Sequence, residues 1–303
     1  KTEKSSLDSQ LKEWINSVIS ISSRTKLQRK KEIINPEDFL GHIDAVVEIQ
    51  GPKIKELYLD LKASGKLWTK GQTNQPDVEI KPFTTTIRGP IQIGDGEFSF
   101  VNVPFSLLSL FLPAPSGLSG MFGFNGTYRI GRRRPEITAD LIFNDVALGG
   151  ESILLKRGSI AFSDSFLTVD IALQNASSSN PVTLVGNIPL TSSSPINLRI
   201  ESHGDGISFL DQFSNGGITW NSGSADLRVL ISGTFANLQS NGFLVIKDGD
   251  LDIQSKNLNN INSRILFDFN RVEVIDLTAK IGETGSILGE GDIALLRTGK
   301  IEK

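Results

Sequence analysis

Residues 223–295 read GSADLRVLISGTFANLQSNGFLVIKDGDLDIQSKNLNNINSRILFDFNRVEVIDLTAKIGETGSILGEGDIAL. Leu227, Val229 and Ile231 alternate with polar neighbours, the period-2 signature of a half-buried strand. Phe243 and Val245 follow and run through Lys247 into Asp248-Gly249, a dipeptide suited to a two-residue hairpin turn. Ile265, Phe267 and Phe269 alternate again, and after Asn270-Arg271 the pattern resumes at Val272 and Val274. It then slips by one residue at Ile275 and continues through Leu277, Ala279 and Ile281. A single slip inside a strand predicts a β-bulge. The stretch has no room for a long helix.

Working outward, the same reading extends toward the N-terminus. Leu57, Leu59 and Leu61 alternate with Tyr58, Asp60 and Lys62, and Ile87–Ile93 leads to a turn at Gly94-Asp95-Gly96 before Phe98 and Phe100. Further strands are expected at 137–143, 159–162, 167–173, 182–190 and 198–200. Pro104–Pro113 (PFSLLSLFLP) is continuously apolar and bounded by prolines, so it reads as a short buried helix rather than an exposed strand. Residues 5–21 place Leu7, Leu11, Trp14, Ile15, Val18 and Ile19 on one helical face, with a basic run at 24–31 and the start of a short helix at Asn35-Pro36-Glu37. The expected organisation is a helical segment over 1–40 and a strand-built domain over 41–303.

The unit repeats. Gly186–Leu190 matches Gly291–Leu295, and Ile160, Phe162, Leu167 and Val169 match Ile265, Phe267, Val272 and Val274, all 105 residues apart. Gly126-Thr127-Tyr128 matches Gly233-Thr234-Phe235, Ser106-Leu107-Leu108 matches Ser208-Phe209-Leu210, and Pro82-Phe83-Thr84 resembles Pro181-Val182-Thr183. A little over two copies of a unit of about a hundred residues implies stacked supersecondary pieces and an elongated body. At about 13 residues per strand and turn, the chain gives about 20 strands and a sheet about 95 Å across. So wide an antiparallel sheet must curl or close. Curling hides the apolar face as a trough. The inward positions of the matched strands nominate Ile160, Phe162, Leu184, Phe243, Val245, Ile265, Phe267 and Val274 as its lining.

Composition narrows the chemistry. The 303 residues are 38% hydrophobic and 21% charged, with a net charge of −3, which argues against a nucleic-acid binder. There are no cysteines and two distant histidines, which removes thiol catalysis and makes a zinc site a poor fit. His203 in Ser202-His203-Gly204-Asp205-Gly206 suggests a His–Asp pair, but reads more simply as a polar turn before a short helix. Arg132-Arg133-Arg134 reads as a solvated turn. Gly282–Gly291 joins strands and lacks the helix that a phosphate loop needs. No enzyme is expected, and no metal. No apolar run is long enough to span a bilayer. The chain opens on Lys1 and reads as a fragment of a longer protein.

Gly233-Thr234-Phe235, Asn241-Gly242-Phe243, Lys247-Asp248-Gly249, Arg264–Val274 and Gly289–Leu295 together resemble the TamB and AsmA-like family. Pro104–Pro113 and Gly204–Phe213 are similar to the versions in its cyanobacterial and chloroplast members, and the resemblance covers roughly 44–296. It implies a β-taco, a U-shaped sheet with an apolar groove. It further implies a periplasmic protein anchored in the inner membrane by a segment outside this sequence, or one in the chloroplast intermembrane space. The implied task is to carry phospholipid acyl chains between membranes, with phospholipids and an Omp85-type outer-membrane barrel as partners. The implied cofactor is none beyond a bound phospholipid or fatty-acyl ligand. The alternative is a scaffold or chaperone for outer-membrane protein assembly and secretion, engaging strands along its sheet edge.

Overall fold

The computed structural model describes residues 39–69, 81–110, 117–131, 135–191, 193–213, 217–235, 237–253, 256–269, 271–282 and 284–294. The helical readings for 5–21 and 35–37, and the arginines at 132–134, lie outside these residues. The strands in chain order are β1 (Phe39–Gln50), β2 (Tyr58–Thr69), β3 (Phe83–Pro90), β4 (Gly94–Pro104) and β5 (Leu118–Ile130). Then come β6 (Pro135–Leu148), β7 (Glu151–Ser163), β8 (Phe166–Asn175), β9 (Val182–Pro189) and β10 (Ile196–Ser202). The last five are β11 (Ile218–Thr234), β12 (Asn237–Ile253), β13 (Lys256–Phe269), β14 (Arg271–Ile281) and β15 (Gly285–Ala294). All fifteen form one antiparallel sheet in which spatial order equals sequence order, curled but not closed into a barrel.

The all-β expectation holds, and the strand count does not. Strand plus connection averages about 17 residues rather than 13, because the strands themselves average about 12 residues, up to 17 in β11 and β12. Fifteen strands at the usual spacing give a sheet about 70 Å wide rather than 95 Å. Two expected turns are strand instead. Gly94-Asp95-Gly96 opens β4, the chain reversing at 91–93. Asp248-Gly249 lies inside β12 as a bulge, where the register against β13 slips between Ile246 and Gly249. Asp248 has φ 48°, and Asn102, Asp145 and Asn260 sit at other register slips with φ between 51° and 57°. Short Asn and Asp side chains tolerate this left-handed backbone, so they serve as bulge residues.

Three 3-10 helices interrupt the meander among the described residues; Ile54–Glu56 joins β1 to β2, and the other two lie at equivalent places. Phe105–Leu110 joins β4 to β5, and Gly204–Phe213 joins β10 to β11. Six strands separate them, which is the sequence repeat expressed as architecture. The apolar run after Pro104 is thus a short helix, with Phe105 buried. Both helices lie against the same end of the strands. Phe105 and Phe209 join Phe122, Val146, Leu148, Ile153 and Val182 in the largest core cluster. Since Phe209 enters from beside β11 and Ile153 from β7, the sheet bends to bring them together.

Candidate functional site: an uncharged trough

Residues directly opposite across an antiparallel ladder share a face. Followed strand by strand, one row runs Val47, Leu61, Ile87, Phe98, Gly126, Ala139, Ile160, Val169, Gly186, Leu198 and Ile231, from β1 to β11. Every member is apolar. A second row runs Ile171, Leu184, Ile200, Val229, Gly242, Phe267 and Val272, from β8 to β14. Away from hairpin ends and bulges, no Asp, Glu, Lys or Arg of the described strands falls on this face. Ser202, Ser240, Ser263, Thr85 and Asn175 are its polar exceptions, and Ser263 donates its hydroxyl hydrogen to the Asp276 carbonyl.

One residue away in each strand, the opposite face reads Lys62, Thr86, Ser99, Asn125, Asp140, Ser159 and Asp170. Ion pairs cross the ladders there. Arg88 reaches Asp60 and Glu97, Arg129 reaches Asp95 and Glu136, and Arg157 meets Asp170 at 2.7 Å. Arg228 meets Glu201 at 2.7 Å, and Arg264 pairs with Asp276. The hydrogen bond from Arg264 holds the Asp276 carboxyl below the usual carboxylate range. A hollow of about 650 Å³ lies among Arg88, Asp95, Glu97, Arg129 and Glu136. Those charges already satisfy one another, so the hollow offers a ligand little.

The trough itself is divided. At the end where the two helices sit, the protein's own side chains fill it. Toward the other end it is open. There a cavity of about 350 Å³ is walled by Ile87, Phe98, Phe100, Phe124, Ile137 and Ile160, with Tyr128 and Ala139 completing it. Phe100 and Phe124 stand 4.7 Å apart by ring centroid, and Phe122 stacks on Phe124 at 6.0 Å. These rings connect the open pocket to the closed end. Tyr128 lies across Gly96, where any β-carbon would strike its ring, and donates its hydroxyl to the Pro90 carbonyl at 3.3 Å. Burial raises its pKa.

Of the eight residues expected to line the trough, Ile160, Phe162, Leu184, Ile265, Phe267 and Val274 lie on its face. Phe162 pairs with Ile137, and Ile265 with Leu244 and Val274. Phe243 and Val245 do not. Phe243 is 36% exposed and sits opposite Arg228 and Leu266, while Val245 sits opposite Asp226 and Arg264. Their neighbours Leu244 and Ile246 take the inward places and pack with Ala225, Leu227 and Ile207. The cause is the run Phe243-Leu244-Val245-Ile246, apolar at every position, in which alternation cannot choose a face. Gly242, level with Phe267, was the usable signal.

The aromatic pocket was not anticipated, although Phe98 and Phe100 alternate visibly. His203 precedes the Gly204–Phe213 helix as expected, but its partner is Asp226 at 3.0 Å, both side chains exposed. Asp205 instead accepts the backbone N–H groups of Ser179 and Asn180. Among the described residues no group of three His, Asp or Glu side chains is placed to hold a metal ion. No described helix is long and apolar enough to cross a membrane. No family model, curated protein or solved structure matches this chain.

Proposed function

We propose that this chain is a segment of a lipid conduit, with acyl chains lying in the trough and headgroups at its open side. The observation that carries the reading is the apolar row running without a charge from Val47 to Ile231. An ordinary one-sheet protein would cover such a face entirely with helices or a second sheet. Here two short helices cover one end of the strands, and the remainder is left for an apolar occupant. The pocket among Phe98, Phe124 and Ile160 is entirely apolar, as acyl chains require. In the setting that the family resemblance implies, the trough bridges two membranes and is anchored by a segment outside this sequence.

A charge in the wall is the test. An unpaired carboxylate against hydrocarbon costs several kcal/mol, enough to block passage of an acyl chain. Phe267→Glu places one in the second row, and Asp268→Lys changes charge on the opposite face. Phe267→Glu should keep its circular dichroism, because the new carboxylate can reach water along the open trough. It should lose co-purifying phospholipid by native mass spectrometry and lose photo-crosslinking to a lipid probe. If both variants retain lipid equally, the conduit reading fails and the scaffold reading replaces it.

A further inference from the structure

The connections at the two ends of the strands differ in chemistry. Turn residues are ordinarily small or polar. So they are at the end where Phe105–Leu110 and Gly204–Phe213 sit, where the other described connections are Gly149-Gly150, 176–180, Gly282 and Thr284. At the opposite end, five connections raise large apolar side chains into solvent. They are Ile54 between β1 and β2, Ile91 and Ile93 between β3 and β4, Leu190 after β9, Phe235 and Leu238 where β11 turns into β12, and Phe269 closing β13. Their exposure runs from 42% at Ile91 to 74% at Ile54, so the sheet itself covers none of them. Asp164-Ser165 is a polar exception. The tips are also tied to one another. Ile91 donates its backbone N–H to the Leu57 carbonyl at 2.9 Å, and Leu190 donates to the Ser165 carbonyl at 2.8 Å, each joining one hairpin to the next.

We infer that this rim rests on a lipid bilayer, with its apolar tips inserted at the boundary between headgroups and acyl chains. Successive tips on the rim lie two strands apart, about 10 Å, and the row from Ile54 to Phe269 is about 60 Å long. A protein partner, a second copy included, needs about 800 Å² of contiguous surface on each side. Single tips with polar turn residues between them supply no such patch. A bilayer surface yields around each inserted side chain, so a row of separate tips serves. The charges beside the tips say which bilayer. Arg129 is held by Asp95 and Glu136, and Arg271 by Asp292, so anionic headgroups gain little from them and zwitterionic lipid suffices. The rim is also the open side of the trough. On β13 the inner face runs from Ile265 through Phe267 to Phe269 at the rim. The docking stands on the rim alone; its consequence, that an acyl chain enters the trough sideways over Phe269 without passing a charge, rests on the conduit reading.

The experiment is flotation of the whole chain with phosphatidylcholine vesicles. The chain should float with them, equally well in low salt and in about 0.5 M salt, because the attraction is apolar. Ile93→Ser, Leu190→Ser and Phe235→Ser should each weaken binding about tenfold, and the triple variant should not float. All three side chains are exposed, so circular dichroism should be unchanged. Leu154→Ser removes an exposed apolar side chain near the helix end of β7 and should float like the parent. Phe267→Glu, which blocks the trough and spares the rim, should also float, so the rim and the conduit can fail separately. A parent that does not float, or a triple variant that still does, would overturn the inference. So would a dimer formed by the parent without vesicles and dissolved by the triple variant, since a second copy would then cover the rim.

Discussion

Ile265 faces Val274 across the β13–β14 ladder while its neighbour Arg264 faces Asp276, so Ile275 stands opposite no residue. The bulge keeps Leu277, Ala279 and Ile281 inward after Val272 and Val274, and leaves Ile275 38% exposed. Deleting Ile275 gives Val274-Asp276-Leu277, which alternates without interruption. The deletion should fold with a Tm within about 4 °C of the parent, as expected when a bulge contributes under about 1 kcal/mol. Deleting Thr278 instead turns Ala279 outward and Lys280 inward, and should abolish the cooperative melt. Differential scanning calorimetry of the pair decides the matter.

That bulge was legible in the sequence because the hydrophobic period changes phase at one residue. The repeat was legible too, since glycines and strand ends recur at fixed spacing. What could not be read were the lengths of β11 and β12. Asp248-Gly249 carries turn chemistry, yet the ladder continues through it because Asn262 offers its side-chain oxygen to the Asp248 N–H at 3.2 Å. Nor could the face of Phe243 be read from four apolar residues in succession. The aromatic pocket draws on five strands, and local alternation says nothing of which strands lie side by side.

Phe243→Glu should be nearly neutral, within about 1 kcal/mol, because Arg228 lies directly opposite and the site is open to water. Leu244→Glu one residue on should cost about 3 kcal/mol or more, since it buries a carboxylate among Leu227 and Ile265. Urea denaturation of both variants measures the difference. A larger loss for Phe243→Glu than for Leu244→Glu would mean that the two faces of β12 are assigned the wrong way round.

Gly186→Ala and Gly291→Ala impose the same backbone strain at φ near 150°, about 1–3 kcal/mol. Only the first also drives a methyl into the carbonyl of Asn197. Gly186→Ala should therefore lower stability more than Gly291→Ala, by at least about 1 kcal/mol in chemical denaturation.

Acid should act on the Gly204–Phe213 helix through two carboxyls with opposite signs. Burial pushes Asp205 up, but the N–H groups of Ser179 and Asn180 and the Asn180 side-chain amide outweigh it and hold the group below its ordinary 3.8. Its stabilisation is present above that value and is lost as pH falls through the lower folded-state pKa. Burial raises Asp211, despite its acceptance of the Trp220 N–H at 2.6 Å. Stability from Asp211 is greatest below 3.8 and declines as pH rises through the raised pKa. Asp205→Asn should thus cost about 1 kcal/mol at pH 7, and Asp211→Asn should be neutral or stabilising there. Thermal melts from pH 3 to 7 distinguish them.

Spatial order equals sequence order throughout the sheet, so no strand waits for a distant one before it can form hydrogen bonds. Such a chain can be laid down progressively as it emerges from a narrow exit, each hairpin templating the next, with little entropy lost in long loop closures. The same feature governs its response to force. Pulled from its ends, the sheet has no central clamp to rupture. It should peel hairpin by hairpin from an edge, giving a staircase of small unfolding steps, and re-zip in the reverse order when the load is released.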